Sequence, residues 1–137
     1  MGLVHTEITL TNVEDIFKAK DGIITNDEIR QTKVTAMVDT GAGTLVINEA
    51  VRQILGLGIE GTRQARLADG AAQHYDITEP VNVQWKNRDS TCRALVLPNA
   101  SNVLLGAIPL EDMDLIVDPK EEKLTGRHGD EIVQMIL

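Results

Sequence analysis

Asp39 is the residue of this chain whose position most favours chemistry. It follows the apolar pair Met37-Val38, which indicates the end of a buried strand, and it enters a tight turn that contains Gly41. Strand ends that face loops are where β scaffolds present reactive side chains. A carboxylate at such a point can take up or release protons during a reaction. The tripeptide Asp39-Thr40-Gly41 is also ordinary turn chemistry, so alone it does not establish a site.

A second motif lies downstream, where the apolar residues Leu104 and Leu105 are followed by Gly106. Taken alone, it indicates only a buried strand that ends in a turn. Its glycine stands 67 residues after Asp39 (106 − 39). A helical turn started by Pro109 is expected just after it, because proline suits the first turn of a helix.

Between the two motifs, Asp69-Gly70 separates two strand-like runs, residues 62–67 and 73–77. Asp-Gly between such runs is a strong signal for a β-hairpin. The tip of this hairpin, which includes Ala68, lies 30 residues after the Asp-Thr-Gly turn (69 − 39). Taken alone, the segment would fit any β-hairpin.

Together these segments resemble the retroviral-like, or retropepsin-type, aspartic proteases, including their single-domain bacterial and cellular members. That family carries hydrophobic-hydrophobic-Asp-Thr/Ser-Gly-Ala and, later, hydrophobic-hydrophobic-Gly followed by a short helix. The resemblance covers roughly residues 30 to 118. It implies that Asp39 is catalytic and that other residues form the active-site loop, the flap over the substrate and a supporting strand. The active-site loop would be formed by Thr40, Gly41 and Ala42. The flap would be formed by Ala68, Asp69 and Gly70, and the supporting strand by Leu104, Leu105 and Gly106.

The resemblance implies an aspartic endopeptidase that acts on peptides or proteins as a homodimer. Peptide hydrolysis by carboxylates needs two of them in one site, one to take a proton from water and one, protonated, to polarise the scissile carbonyl. This chain has a single Asp-Thr-Gly, whereas pepsin-like enzymes carry two in a longer chain. A two-fold dimer would bring Asp39 and its symmetry mate together, with Thr40 bonding across the axis. Terminal strands at residues 3–10 or 132–137 would complete the interface.

The alternative is a non-enzymatic dimerisation or peptide-binding module on the same fold, because a fold does not fix a function. Two departures from the retroviral pattern bear on substrate preference and dimer strength. Gly43 follows Gly-Ala where Asp or Glu is common, and Ala107 follows Gly106 where Arg is common.

Short strands separated by frequent turns indicate an all-β fold, which the resemblance makes a closed acid-protease barrel with one or two short helices. One helix is expected over residues 49–55, capped by Asn48 and ended by Gly56, and a helical turn over 108–113. The whole chain, residues 1–137, is expected to form a single domain. Strands are expected at residues 3–10, 33–39, 44–47, 62–67, 73–77, 81–85, 91–97, 103–106, 115–117 and 132–137.

Composition argues against several classes of protein. Hydrophobic residues make up 42 % of the 137 residues, an ordinary globular value, and no apolar run approaches a membrane span. The net charge of −8 disfavours nucleic acid as a partner, since phosphate binding needs clustered Lys and Arg. The single cysteine, Cys92, cannot form an internal disulfide, and we expect a buried thiol. With no signal peptide expected either, the sequence favours a cytoplasmic location.

No metal or other cofactor is expected. His5, His74 and His128 are widely separated and lack the spacing of metal ligands. The glycine pattern of residues 56–61 matches the dinucleotide fingerprint formally, but it follows a helix rather than a strand. We interpret it as coincidence.

Overall fold

The structure, a computed structural model, describes residues 3–66, 69–100, 102–133 and 136. The strands are β1 (His5–Asn12), β2 (Gln31–Val38), β3 (Leu45–Ile47), β4 (Ile59–Arg66), β5 (Ala72–Trp85), β6 (Arg88–Val96), β7 (Val103–Leu105), β8 (Leu115–Asp118) and β9 (Lys123–Gly126). The α-helices are α1 (Val13–Lys20), α2 (Glu49–Leu55) and α3 (Ala107–Asp112), and Asn26–Glu28 form a short 3-10 turn.

Six strands close into a barrel. They run in the order β1-β2-β7-β3-β6-β5, and β5 pairs back onto β1, where Leu10 lies opposite Val83. At one edge β4 pairs with β5 to form a hairpin that extends from the ring, and β8 pairs with β9 in a separate two-stranded sheet. This arrangement confirms the all-β closed barrel.

The inside of the barrel is filled by aliphatic side chains. In β1 and β5 the buried residues alternate with more exposed ones, as strands with one face toward a core require. Trp85 closes one part of this core, and its indole N–H donates to the hydroxyl of Thr6 over 2.8 Å. The largest fully buried aliphatic side chains are those of Ile8, Leu10, Leu45, Ile47, Leu55, Leu57, Leu105, Val81, Val83 and Val96.

Helix α1 differs from the sequence expectation, which assigned no helix there, so the described part of the chain has three short α-helices where one or two were expected. The helix starts at Asn12, whose side chain accepts from the amide of Asp15 (3.0 Å) and donates to the carbonyl of Leu55 (2.8 Å). Asp15 in turn binds the guanidinium of Arg30 at 2.8 and 3.0 Å. These contacts join distant parts of the chain, so local periodicity could not reveal them.

Three other segments differ from expectation. Strand β5 is continuous through Pro80, with an irregular register between Ile77 and Pro80, where two separate strands were expected. Strand β9 forms between the expected strands at residues 115–117 and 132–137, where none was expected. Ile132 and Val133 lie outside any strand, and residues 134, 135 and 137 of the expected terminal strand fall outside the described residues.

Candidate active site

Asp39 lies directly after β2, beside the end of β7. These two strands are parallel neighbours, with Val38 opposite Leu105 and Met37 opposite Leu104. The amide of Asp39 continues the pairing by donating to the carbonyl of Leu105 over 3.0 Å. The two sequence motifs therefore meet in space, and β7 supports the strand that carries the carboxylate.

The turn at Asp39 is closed by its own side chain. Oδ1 accepts a hydrogen bond from the amide of Gly41 over 2.9 Å, and the backbone carbonyl accepts from the amide of Ala42 over 3.1 Å. Such a turn fixes the direction of a short polar side chain. Asp39 is half-buried, whereas Thr40 and Gly41 are exposed. The carboxylate is thus both oriented and accessible.

Gly106 packs directly against the loop that follows the Asp-Thr-Gly turn. A Cβ at this position would overlap the carbonyl oxygen of Thr44 and would lie 2.7 Å from that of Ala42. The next two amides continue this contact: Ala107 donates to Ala42 over 2.8 Å, and Ile108 donates to Gly43 over 3.1 Å. The glycine of the second motif is therefore required by close backbone approach, and helix α3 begins on the loop that follows Asp39.

The expected hairpin is formed by β4 and β5, with Arg66 opposite Ala72 at its outer end. At the tip, the carboxylate of Asp69 accepts from the amide of Ala71 over 2.8 Å, and Gly70 adopts a left-handed φ of +89°. The Arg66 guanidinium donates to the carbonyl of Gly70 over 2.8 Å. Ala68, which the sequence places at this tip, lies outside the described residues.

A second apolar cluster connects the hairpin to the Asp39 loop. Its buried members come from β3, β5 and β6, and half-buried side chains from the active-site loop, the hairpin and β7 pack against them. The cluster forms an apolar floor that includes Ala42 of the Asp39 loop. The buried members are Val46, Tyr75, Ile77 and Leu95, and the half-buried ones are Ala42, Ala65, Leu97 and Leu104.

Part of this surface was not predicted from the sequence. Beyond the pairing of Ile77 with Leu95, strand β5 diverges from β6 and leaves a groove of about 480 Å³. Residues 73–76 form one side of the groove, and Leu97 lies on the other, at the start of the loop after β6. The signal available was Tyr75, the chain's only tyrosine, on the hairpin strand that follows the expected tip.

Cys92, which was expected to be buried, is half-buried near the loop that follows Asp39 and takes no part in the geometry of the Asp39 turn. Burial raises the pKa of its thiol, and contacts with Leu45 and Thr44 act in the opposite direction. The Thr44 hydroxyl itself donates to the carbonyl of Arg93 over 3.0 Å, which ties the loop to β6. A raised pKa keeps the thiol protonated, as expected for a structural cysteine.

The structure describes no group of three or more His, Cys, Asp or Glu side chains arranged to hold a metal ion within residues 3–66, 69–100 and 102–133. His5 and His74 are exposed, and His128 contacts the carboxylate of Asp114 over 2.7 Å. In the same part of the chain, no helix has both the length and the apolar character needed to cross a bilayer.

Comparison with known families settles the assignment that this geometry suggests. A family model described as "gag-polyprotein putative aspartyl protease" matches residues 25–112, more than half of the chain. The matched range contains the Asp39 turn, the hairpin and Gly106. The chain belongs to this family. The retropepsin-like resemblance seen in the sequence is therefore confirmed for this aspartyl protease homologue.

Two solved structures are similar to this chain. EIAV protease in complex with the inhibitor HBY-793 matches with a TM-score of 0.57 and 21 % identity, covering 81 % of this chain and 88 % of that protein. A retropepsin-like aspartic protease from Rickettsia conorii matches with a TM-score of 0.49 and 18 % identity, covering 86 % and 89 %. Among curated proteins, no significant match was found. At this level of identity, the EIAV protease comparison shows that the aspartyl protease homologue shares the fold.

Proposed function

We propose that this protein is an aspartic endopeptidase whose active site forms across a homodimer, with Asp39 supplied by each copy. The observation that carries the proposal is the meeting of the two motifs, in which the Asp39 amide bonds to Leu105 and Gly106 packs on the same loop. Family membership supports the reaction class. One chain offers one such carboxylate, so a second copy completes the pair.

The chemistry follows from placing two carboxylates side by side. Like charges in contact make it costly for both to ionise, so the pair shares one proton and titrates as a unit. The ionised Asp39 accepts a proton from water, and the oxygen of that water bonds to the scissile carbonyl carbon. The protonated partner donates to the carbonyl oxygen. Transfer of a proton to the amide nitrogen then breaks the C–N bond and releases the amine.

The substrate is proposed to be an extended peptide lying between the dyad and the β4–β5 hairpin. Ala42 of the Asp39 loop and Leu104 of β7 belong to the second apolar cluster, and Tyr75 and Leu97 continue this apolar surface along the groove. Apolar substrate side chains next to the scissile bond would bury area on these walls. The hairpin tip at Asp69 and Gly70 would cover the peptide from the other side.

The two-fold axis is proposed to run beside the Asp-Thr-Gly turn. Thr40 is exposed next to Asp39, where its hydroxyl can bond to the partner's loop. Such a contact would hold both loops at a fixed separation, which a shared proton requires. On this proposal, residues 1–137 act as one domain and the dimer is the functional unit.

The deciding experiment is cleavage of a broad peptide library by the wild type and by Asp39→Asn across acidic and neutral pH. The wild type is expected to cleave with a bell-shaped pH dependence, because the dyad must hold one proton. The variant is expected to lose at least about a thousandfold in kcat, since no carboxylate remains to activate water. Asp27→Asn, which changes an exposed acid in the 3-10 turn, serves as the matched control.

Circular dichroism and sedimentation would accompany these assays, so that loss of fold or of the dimer is separated from loss of chemistry. A folded Asp39→Asn dimer that still cleaves would disprove the assignment. A folded wild-type dimer that binds peptides and cleaves none would instead favour the peptide-binding module. Pepstatin is a useful added probe, but resistance to it alone would not count against the proposal.

A further inference from the structure

Arg88 is a buried cation at the turn between β5 and β6, with only 2 % of its surface exposed. Burial of a charged side chain is costly unless hydrogen bonds compensate for the lost water. Among the ion pairs found between described residues, none includes Arg88. Its guanidinium is instead surrounded by oxygen atoms, most of them backbone carbonyls.

One arm of the guanidinium, Nη1, points at the end of helix α3. It donates to the carbonyl of Met113 over 2.9 Å and to that of Asp114 over 3.3 Å. Met113 is the C-terminal cap of α3, and the last carbonyls of a helix have no partner within the helix. They also form the negative end of the helix dipole, so a cation there stabilises the helix. Arg88 therefore fixes where α3 ends.

The other arm, Nη2, holds the chain after β9. It donates to the carbonyls of Asp130 (2.8 Å), Ile132 (3.3 Å) and Gly129 (3.4 Å). The neighbouring Asn87 side chain also donates to Asp130, over 3.1 Å. This segment covers the guanidinium and keeps water from competing for it. The contacts of this arm involve no part of α3.

The opposite end of α3 rests on the active-site loop. The amides of Ala107 and Ile108 donate to the carbonyls of Ala42 and Gly43, as described above. Helix α3 has six residues, so it spans roughly 9 Å. A short helix bonded at both ends moves as a rigid body. A displacement at Met113 is therefore transmitted to the loop that carries Asp39.

We infer that Arg88 is a positioning residue for the Asp39 loop and that it acts through helix α3. Ala107 directly follows Gly106, so the first residue of α3 brings no cation to the loop. Arg88, the first residue of β6, instead places a cation at the C-terminal end of α3. The inference rests on the proposed protease function for its effect on catalysis, but the contacts that join Arg88, α3 and the loop do not depend on that function.

The test compares Arg88→Lys and Arg88→Met with the wild type. Lysine keeps a charge but lacks the planar fork, so it cannot serve both groups of carbonyls. Two controls are matched to it. Asn87→Ala removes the bond to Asp130 and the oxygen that accepts from Arg88 Nε over 3.3 Å, but it leaves the Nη1 bonds to the end of α3 in place. Asp15→Asn breaks an ion pair on α1 whose carboxylate is buried. Each protein is assayed over a range of enzyme concentrations, so that dissociation of a dimer is separated from slower turnover.

For Arg88→Lys we expect kcat to fall by roughly tenfold or more while KM changes less than about twofold, because a displaced carboxylate impairs the chemical step. Hydrogen exchange of the Ala107 and Ile108 amides should be faster by about tenfold under native conditions. Asn87→Ala and Asp15→Asn should leave both quantities near the wild-type values. The exchange measurement needs no substrate, so it tests the link even if the protein cleaves nothing.

Unchanged exchange at Ala107 and Ile108 in a folded Arg88→Lys protein would overturn the inference. An equal fall of kcat in Asp15→Asn would do the same, since the effect would then follow general destabilisation. If Arg88→Met does not fold, Arg88→Lys decides the outcome. If neither variant folds, Arg88 is a residue of the fold and not a positioning residue, and the inference is wrong.

Discussion

The amide of Asp39 donates a hydrogen bond to the carbonyl of Leu105 over 3.0 Å. This bond extends the parallel pairing of β2 with β7 by one residue beyond Val38. It also sets the register that brings Gly106 against the carbonyls of Ala42 and Thr44. The direction of the Asp39 carboxylate therefore depends on β7 as much as on its own strand.

Gly106→Ala is expected to damage both the fold and the site. The added methyl would overlap the carbonyl of Thr44 and approach that of Ala42 to 2.7 Å, and backbone atoms cannot move aside as a flexible side chain can. We expect a loss of roughly 3 kcal/mol in the free energy of unfolding, the upper end for overpacking. Urea denaturation measures this loss.

Gly43→Ala is the matched control for that experiment. A Cβ at Gly43 would meet no atom within 4 Å, although the residue belongs to the same loop. Its free energy of unfolding should stay within about 0.5 kcal/mol of the wild-type value. If the two alanine variants are equally stable, the close packing of Gly106 on the loop is not as described.

Gly70→Ala is expected to affect the hairpin tip. The φ of +89° at Gly70 is a conformation that a Cβ disfavours by about 1–2 kcal/mol. If the tip covers substrate, kcat/KM should fall by up to about tenfold, which corresponds to 1.4 kcal/mol. The fall in kcat/KM should be smaller for Gly70→Asn, because asparagine tolerates a positive φ better than alanine does. Equal kcat/KM for all three proteins would show that the tip does not contact substrate.

The ion pair between Asp15 and Arg30 should make stability depend on acid pH. The Arg30 hydrogen bonds hold the pKa of the Asp15 carboxyl below its ordinary value of 3.8 in the folded state. The pair therefore stabilises the fold above about pH 3.8, and this contribution is lost as the pH falls through the lowered pKa. Asp15→Asn should reduce the free energy of unfolding at pH 7 by roughly 1–3 kcal/mol.

Urea titrations of the two proteins between acid and neutral pH would check this expectation. The difference between wild type and Asp15→Asn should shrink at the acid end. Asp27→Asn changes an exposed acid in the 3-10 turn, and its free energy of unfolding should equal that of the wild type at every pH. A difference that stays constant into strong acid would show that the Asp15 carboxylate is not stabilised by its charge.

Cys92 should react slowly while the protein is folded. Burial raises the pKa of its thiol, so less thiolate, the reactive form, is present at any given pH. Reaction with a thiol reagent at pH 8 should be slower in the native protein than in denaturant by at least about tenfold. Equal rates in the two states would contradict the burial of this side chain.

Much of the fold was predictable because its signals are local. Helix α2 has the predicted cap, with the Asn48 side chain accepting from Val51 over 2.8 Å, and it ends at Gly56 with a φ of +63°. The strand before Asp39, the strand before Gly106 and the Asp-Gly hairpin were also recognisable from apolar runs and turn residues. These features depend on neighbours within a few positions, so the sequence displays them directly.

The features that were missed depend on contacts between distant residues. Helix α1 is fixed by bonds from Asn12 to Leu55 and from Asp15 to Arg30. Nothing in the sequence marks Arg88 as buried either, because arginine is usually exposed and its partners are backbone carbonyls. Within the candidate site, the motif residues were predictable, while the floor made by Tyr75 and Leu97 follows from how β5 diverges from β6.

The pairing of β2 with β7 has a consequence for synthesis of the chain. Strand β7 ends at Leu105, so the support beneath Asp39 cannot exist until that residue has left the ribosome. Closing so large a loop is also slow compared with forming hairpins such as β5–β6. We therefore expect the support of the Asp39 turn to form later than these hairpins. A nascent chain that stops before β7 carries the aspartate without the strand that supports it from the side.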